Sequence, residues 1–104
     1  MNSEQFMISV EEGHLRSKRL LIKKGAEYAT EEGNRLEQFH RAGCAEGIPA
    51  TQALIGMCTK QYTSIADMAK NPDAYKLRAW RGKITDLRNY THLLDGLLED
   101  LGIE

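Results

Sequence analysis

A chain of 104 residues with 41% apolar and 28% charged side chains has the makeup of one ordinary globular domain, residues 1–104; this excludes a disordered chain and allows only a limited core, which self-association would help complete. Fourteen basic residues against fifteen acidic ones leave a net charge of -1, so no global attraction to nucleic acid exists, although Arg16 to Arg19 and Lys23-Lys24 make the early chain locally basic. Two cysteines, Cys44 and Cys58, have neither a metal-site spacing nor the density of a secreted disulfide scaffold, and point to reduced thiols in a cytoplasm.

The opening Met-Asn-Ser-Glu-Gln-Phe lacks a basic segment and a long apolar run, so no signal peptide is expected. No stretch approaches the roughly 20 apolar residues that span a bilayer, and a soluble protein is expected. Ser3 can cap a first helix reaching about Tyr28, with Phe6, Met7, Val10, Leu15, Leu20, Leu21 and Ile22 as its apolar members. Gly13 interrupts it at a cost of about 1 kcal/mol, so one bent helix or two short ones are both open, and a single helix is the favoured reading. The polar run Ala29 to Asn34 reads as a loop or capping segment.

A short helix fits Arg35 to Ala42, with Leu36 and Phe39 inward and with Gly43 and Gly47 bracketing its exit. Pro49 suits the first turn of the next helix, where Leu54, Cys58, Gln61, Ile65 and Met68 alternate at four and three. Gln61 is the polar member of that seam, and Lys60, Ser64 and Asp67 form a polar stripe beside it. Asn71-Pro72 stops the helix, and Asp73 is placed to cap the longest one, reaching Leu101. Along this spine Leu77, Trp80, Ile84, Leu87, Leu94, Leu98 and Leu101 form a stripe that Tyr90, Leu93 and Leu97 widen. So broad a face demands more than one partner helix. The expected fold is all-α: an antiparallel helical bundle of three long helices and one short helix, oligomeric, without strands.

Chemistry concentrates on the spine's margin, where Asp86, Asn89 and Tyr90 share a flank at i, i+3 and i+4. A carboxylate and a carboxamide so placed can orient a metal ion, a sugar hydroxyl or a cation; the plainer reading pairs Asp86 with Lys83 or a neighbouring helix's cation. No G-x-S-x-G elbow, Walker loop, H-E-x-x-H or C-x-x-C occurs, and His14, His40 and His92 are scattered, which suits surface or half-buried histidines.

Four segments carry a resemblance: Lys24 to Ala29, Asn34 to Phe39, Ala53 to Met68 and Lys83 to Tyr90. Together, across roughly Ile22 to Glu99, they resemble a bacteriophage family of nucleotide-modification-associated domains, written K-G-x-E-Y-A, D-R-L-x-N-F, K-H-x-x-S-I-x-D-M and K-I-x-D-x-x-N-Y, and more distantly the MazG-like all-α nucleotide pyrophosphatases. The resemblance implies a helical bundle that often dimerises, a nucleotide ligand and, in the distant relatives, Mg²⁺-dependent attack of water on an α-phosphorus. Asp86 matches the last residue of the relatives' E-x-x-D run, but Lys83 replaces its glutamate, and Lys60, Gln61 and Ser64 stand where the facing acidic run would lie. Gln61, Asn34 and Gln38 replace the closer family's histidine, aspartate and asparagine.

These changes remove metal-ligating charge and add cations that attract phosphate. They favour binding of an anionic ligand over hydrolysis; an enzyme, if there is one, would be a Mg²⁺-dependent nucleotide pyrophosphohydrolase. The implied ligand set is Lys24, Glu27, Tyr28, Arg35, Lys60, Ser64, Asp86, Asn89 and Tyr90, with Glu27, Asp67 and Asp86 as metal candidates. Lysine and arginine would neutralise phosphate, Asp86 and Asn89 would hold a sugar or base edge, and a tyrosine could stack on a base. The expected function is nucleotide binding with a degenerate MazG-like site, in the cytoplasm, that of the host if the chain is phage-encoded. The alternative is a small phage interaction protein that inhibits a host enzyme or defence system; DNA binding through Arg16 to Lys24 ranks last, for want of a recognition-helix motif.

Overall fold

In a computed structural model the chain is all-helical: α1 (Ser3–Tyr28), α2 (Glu37–Glu46), α3 (Ala50–Ala69), a 3-10 turn (Pro72–Ala74) and α4 (Leu77–Asp100), with no strand among the described residues. The structure describes residues 1–28 and 34–104, without the side chain of Tyr28; the expected loop from Ala29 to Asn34 lies outside these residues but for Asn34. No described helix is long and apolar enough to cross a membrane.

The helix ends are set by local hydrogen bonds and close contacts. Asn2, not Ser3, caps α1: its Oδ1 accepts from the Gln5 N–H and the Gln5 Oε1 accepts from the Asn2 N–H, each at 2.8 Å, a reciprocal box that satisfies two free donors. α1 then runs unbroken through Gly13. Before α2, Asn34 Oδ1 accepts from the Leu36 N–H at 3.0 Å. α2 extends past Ala42 with Gly43 inside it, and only Gly47, in the left-handed region at φ 71°, forms the exit. Gly43 is required by contact: a Cβ there would stand 2.7 Å from the Ile48 carbonyl oxygen, the price of folding α2 tightly onto the start of α3.

Asp73 does not cap the long helix. Pro72 opens a 3-10 turn, Tyr75 is extended (φ −125°, ψ 139°), and α4 starts only after Lys76. The Trp80 indole N–H donates to the Pro72 carbonyl at 3.2 Å, and its ring meets Tyr75 edge-on at 6.4 Å, which ties the turn to α4.

The core lies among α2, α3 and α4, where Phe39, Leu54 and Leu97 are fully buried and Leu36, Ala50, Met57, Tyr90, Leu93 and Leu94 close around them. Complete burial of each such side chain contributes about 1.5–3 kcal/mol. The buried residues of α4 are Thr85, Asn89 and Leu97, and their mean direction lies nearly half a turn from the middle of the expected stripe Leu77 to Leu101. Leu77, Ile84 and Leu101 of that stripe are exposed. What displaced it is polar: the buried side of α4 must also meet α1 and a hollow between the helices.

α1 packs chiefly on α4. Arg88 Nη1 donates to the Gly13 carbonyl at 3.0 Å and to Ser17 Oγ at 3.1 Å, and Ser17 is wholly buried. Gly13 thus has a positive role, since a Cβ there would stand 3.0 Å from the guanidinium. The first turns of α1 carry Phe6, Met7 and Ile8 largely exposed, and the radius of gyration, 15.7 Å, exceeds the about 13 Å expected of a compact chain this long.

Candidate functional site

Where α1, the entry to α2, α3 and α4 converge, the helices leave a small, partly enclosed hollow of about 100 Å³ that opens to solvent. α1 contributes Leu20, Leu21 and Lys24 at helical spacing, on the same face as Gly13 and Ser17. From the α2 side come Arg35, Gln38 and Phe39; the Arg35 stem passes over Gly25, whose Cβ would be 3.8 Å from it. α3 supplies Gln61, and α4 supplies Asp86, Asn89, Tyr90 and Leu93.

Two features separate this hollow from a packing defect. Polar side chains line it from all four described helices or their entries, among them Lys24, Gln38, Gln61, Asp86 and Asn89, whereas a defect in a core is lined by apolar groups throughout. Moreover, Gln61 Oε1 and Asn89 Oδ1 are buried with no hydrogen-bond partner among the described residues, and Asn89 is only 6% exposed. Leaving such a group unpaired costs about 1–3 kcal/mol. Two carboxamides facing one hollow therefore demand donors from something that enters it.

Of the residues singled out from sequence, Lys24, Arg35, Asp86, Asn89 and Tyr90 line the hollow together. Lys60 and Glu27 are exposed and Ser64 half-buried; none of the three lines it, because Gln61 is the α3 side chain turned toward α4. Tyr28 lies outside the described side chains. The three metal candidates are not assembled: Asp67 is exposed and sits 3.5 Å from Lys70 Nζ, Glu27 is exposed, and only Asp86 reaches the hollow, in company with Lys24 and Arg35. Among the described residues no group of three or more His, Cys, Asp or Glu side chains could hold a metal ion. Among the described residues the hollow offers one carboxylate beside two cations, a set that does not fit Mg²⁺, which needs acidic oxygens to balance its charge.

Gln38 and Gln61 are the polar lining residues missing from the ligand set expected from sequence. Gln61 had left a signal, being the one polar member of an apolar seam; Gln38 had none in its periodicity. His14 and His92 are exposed, His40 stands 4.0 Å from Asp100, and none lines the hollow. Cys44 and Cys58 are free thiols.

A second, shallower groove continues from the first across Leu20, Lys24 and Asp86, which line both, and adds Arg16, Arg78 and Arg81 between α1 and α4. Lys18 and Arg19, by contrast, are exposed on the other side of α1. The basic run read as one patch from sequence is therefore divided between two faces.

The fold and site define an all-α domain with a polar hollow edged by cations. No family model, no characterised protein and no solved structure matches the chain.

Proposed function

We propose that this protein binds a nucleotide, or a closely similar phosphate-bearing small molecule, in the hollow where α1, α2, α3 and α4 converge. The observation that carries the reading is the pair of buried, unpartnered carboxamide oxygens, Gln61 Oε1 and Asn89 Oδ1, opening on the same space as Lys24 and Asp86. Acceptors on the inner wall suit the exocyclic amino group or ring N–H of a base, with Asp86 receiving a sugar hydroxyl. Lys24, where the hollow passes into the arginine-lined groove, suits the phosphates, and Arg78 and Arg81 extend the cationic path outward. Tyr90 gives the base an aromatic neighbour.

Binding without hydrolysis is the form this takes, because among the described residues the carboxylates a metal would need are not gathered. Calorimetric titration with nucleoside mono-, di- and triphosphates, with the matching nucleosides and inorganic phosphate as controls, tests it. Saturable binding of a nucleotide, lost in Asn89→Leu and weakened about tenfold or more in Lys24→Ala, is expected. No binding of any nucleotide ends the reading. Pyrophosphate release with Mg²⁺ would restore the enzymatic alternative.

The same proposal includes an antiparallel bundle completed by self-association. What supports it is area: the accessible surface of 7680 Å² exceeds the roughly 5,900 Å² expected of a compact monomer of 11.7 kDa.

A further inference from the structure

The face of α1 turned away from α4 has a pattern that neither the core nor the hollow uses. Ile8, Leu15 and Ile22 recur at intervals of seven and are 55%, 51% and 66% exposed. At 100° per residue they form one line along the helix, opposite Gly13, Ser17 and Lys24. Glu11 and Lys18 flank that line on one side and Glu12 and Arg19 on the other, all four exposed. The arrangement is self-complementary about Leu15.

We propose that a second copy of this chain covers this face, with the two α1 helices antiparallel and the two-fold axis passing at Leu15. This rests on the self-association proposed above and specifies its surface. In an antiparallel pair related by a two-fold axis, each flank meets the same flank of the other helix with its direction reversed. Ile8 then lies against the partner's Ile22, and Leu15 against the partner's Leu15. Glu11 faces the partner's Lys18, and Glu12 faces the partner's Arg19.

Symmetry doubles these to four opposite-charge contacts around an apolar centre. A parallel pairing in register sets Glu11 beside the partner's Glu12 and Lys18 beside the partner's Arg19, so like charges oppose it. The charge order along α1 thus selects both the occupant and its direction. The molecule as a whole exposes roughly 1,800 Å² more than a compact monomer of its mass, room for the ~800 Å² that one partner contributes to an interface of standard size. The hollow stays accessible in such a dimer, since Lys24 is on the opposite side of α1.

Sedimentation velocity on the full chain at a series of concentrations tests the proposal. The unaltered protein is expected to be a dimer. E11K/E12K and K18E/R19E should each raise the dissociation constant at least about tenfold, while an equimolar mixture of the two should form a heterodimer as readily as the unaltered protein dimerises. Because the four positions are exposed, far-ultraviolet circular dichroism should show undiminished helix in both variants. As a check that does not depend on charge, L15C in a C44S/C58S background should form a disulfide-linked dimer on oxidation.

A monomeric unaltered protein overturns the proposal together with self-association itself. A dimer that neither charge variant weakens and that L15C does not cross-link overturns the α1 surface and leaves self-association standing. Failure of the mixture to pair overturns the opposite-charge contacts, and disulfide formation by I8C in the C44S/C58S background, where the antiparallel pair sets position 8 against the partner's Ile22, overturns the direction.

Discussion

Between α2, α3 and α4 the contact is made by Phe39, Leu54 and Leu97 at full burial, whereas α1 meets α4 across a guanidinium, a hydroxyl and a backbone carbonyl. The first kind of contact is cooperative and insensitive to orientation; the second is directional and holds at one register only. The difference explains a division of labour. The three-helix part supplies a fixed floor for the hollow, and α1 supplies a wall, with Leu20, Leu21 and Lys24, held by hydrogen bonds that a local opening can break and remake.

The comparison breaks most readily in the core. Leu54→Ala should cost about 3 kcal/mol or more by urea denaturation, because a fully buried leucine leaves a cavity the neighbours cannot fill. A loss under about 1 kcal/mol would mean that the three-helix part is not the stable unit. Arg88→Ala should cost about 2 kcal/mol, since it strands the Ser17 hydroxyl at 1% exposure. Amide hydrogen exchange sharpens this one: protection should fall through α1 and stay high in α2 and α3, and a uniform fall would mean that the two contacts open as one unit.

Asn89→Leu probes the floor. Removing a buried acceptor that has no protein partner should leave stability unchanged or raise it by about 1 kcal/mol while eliminating nucleotide binding. Destabilisation beyond that margin would make Asn89 a structural residue. The smallest effect is expected at Trp80→Phe, which keeps the ring against Tyr75 but deletes the indole bond to the Pro72 carbonyl, for about 0.5–1.5 kcal/mol in thermal unfolding.

Helix number, order and approximate extent were legible in the sequence because they depend on local periodicity, and Ser3–Tyr28 was placed within a residue by that alone. The cap was legible too, and misread: Asn2 has a glutamine three residues on, the spacing of a capping box, whereas Ser3 has Phe6. The facing of α4 was not. Its leucines suggested one stripe, but Thr85 and Asn89 are buried because of what lies across from them, the Arg88 clasp on α1 and the hollow, and such contacts between residues more than 70 apart leave no period behind.

The hollow shows the same limit. Asp86, Asn89 and Tyr90 share a flank by arithmetic, but whether Lys60 or Gln61 meets them depends on the rotation of α3, which is set by the packing of Leu54 and Met68 rather than by the polar stripe. Glycines were the residues least informative in advance. Gly13 read as a weakness in a helix and is the point where another helix's side chain lies against its backbone.

That passage at Gly13 makes the hollow a conditional enclosure. If α1 swings out, Lys24 leaves with it and the ligand loses a wall while the floor persists; a ligand touching both must therefore tighten α1's hold by as much as α1's seating tightens the ligand. Occupancy would be recorded at the Arg88 latch, at a distance from the molecule bound, and a tighter or looser latch would tune affinity without altering a single group that touches it.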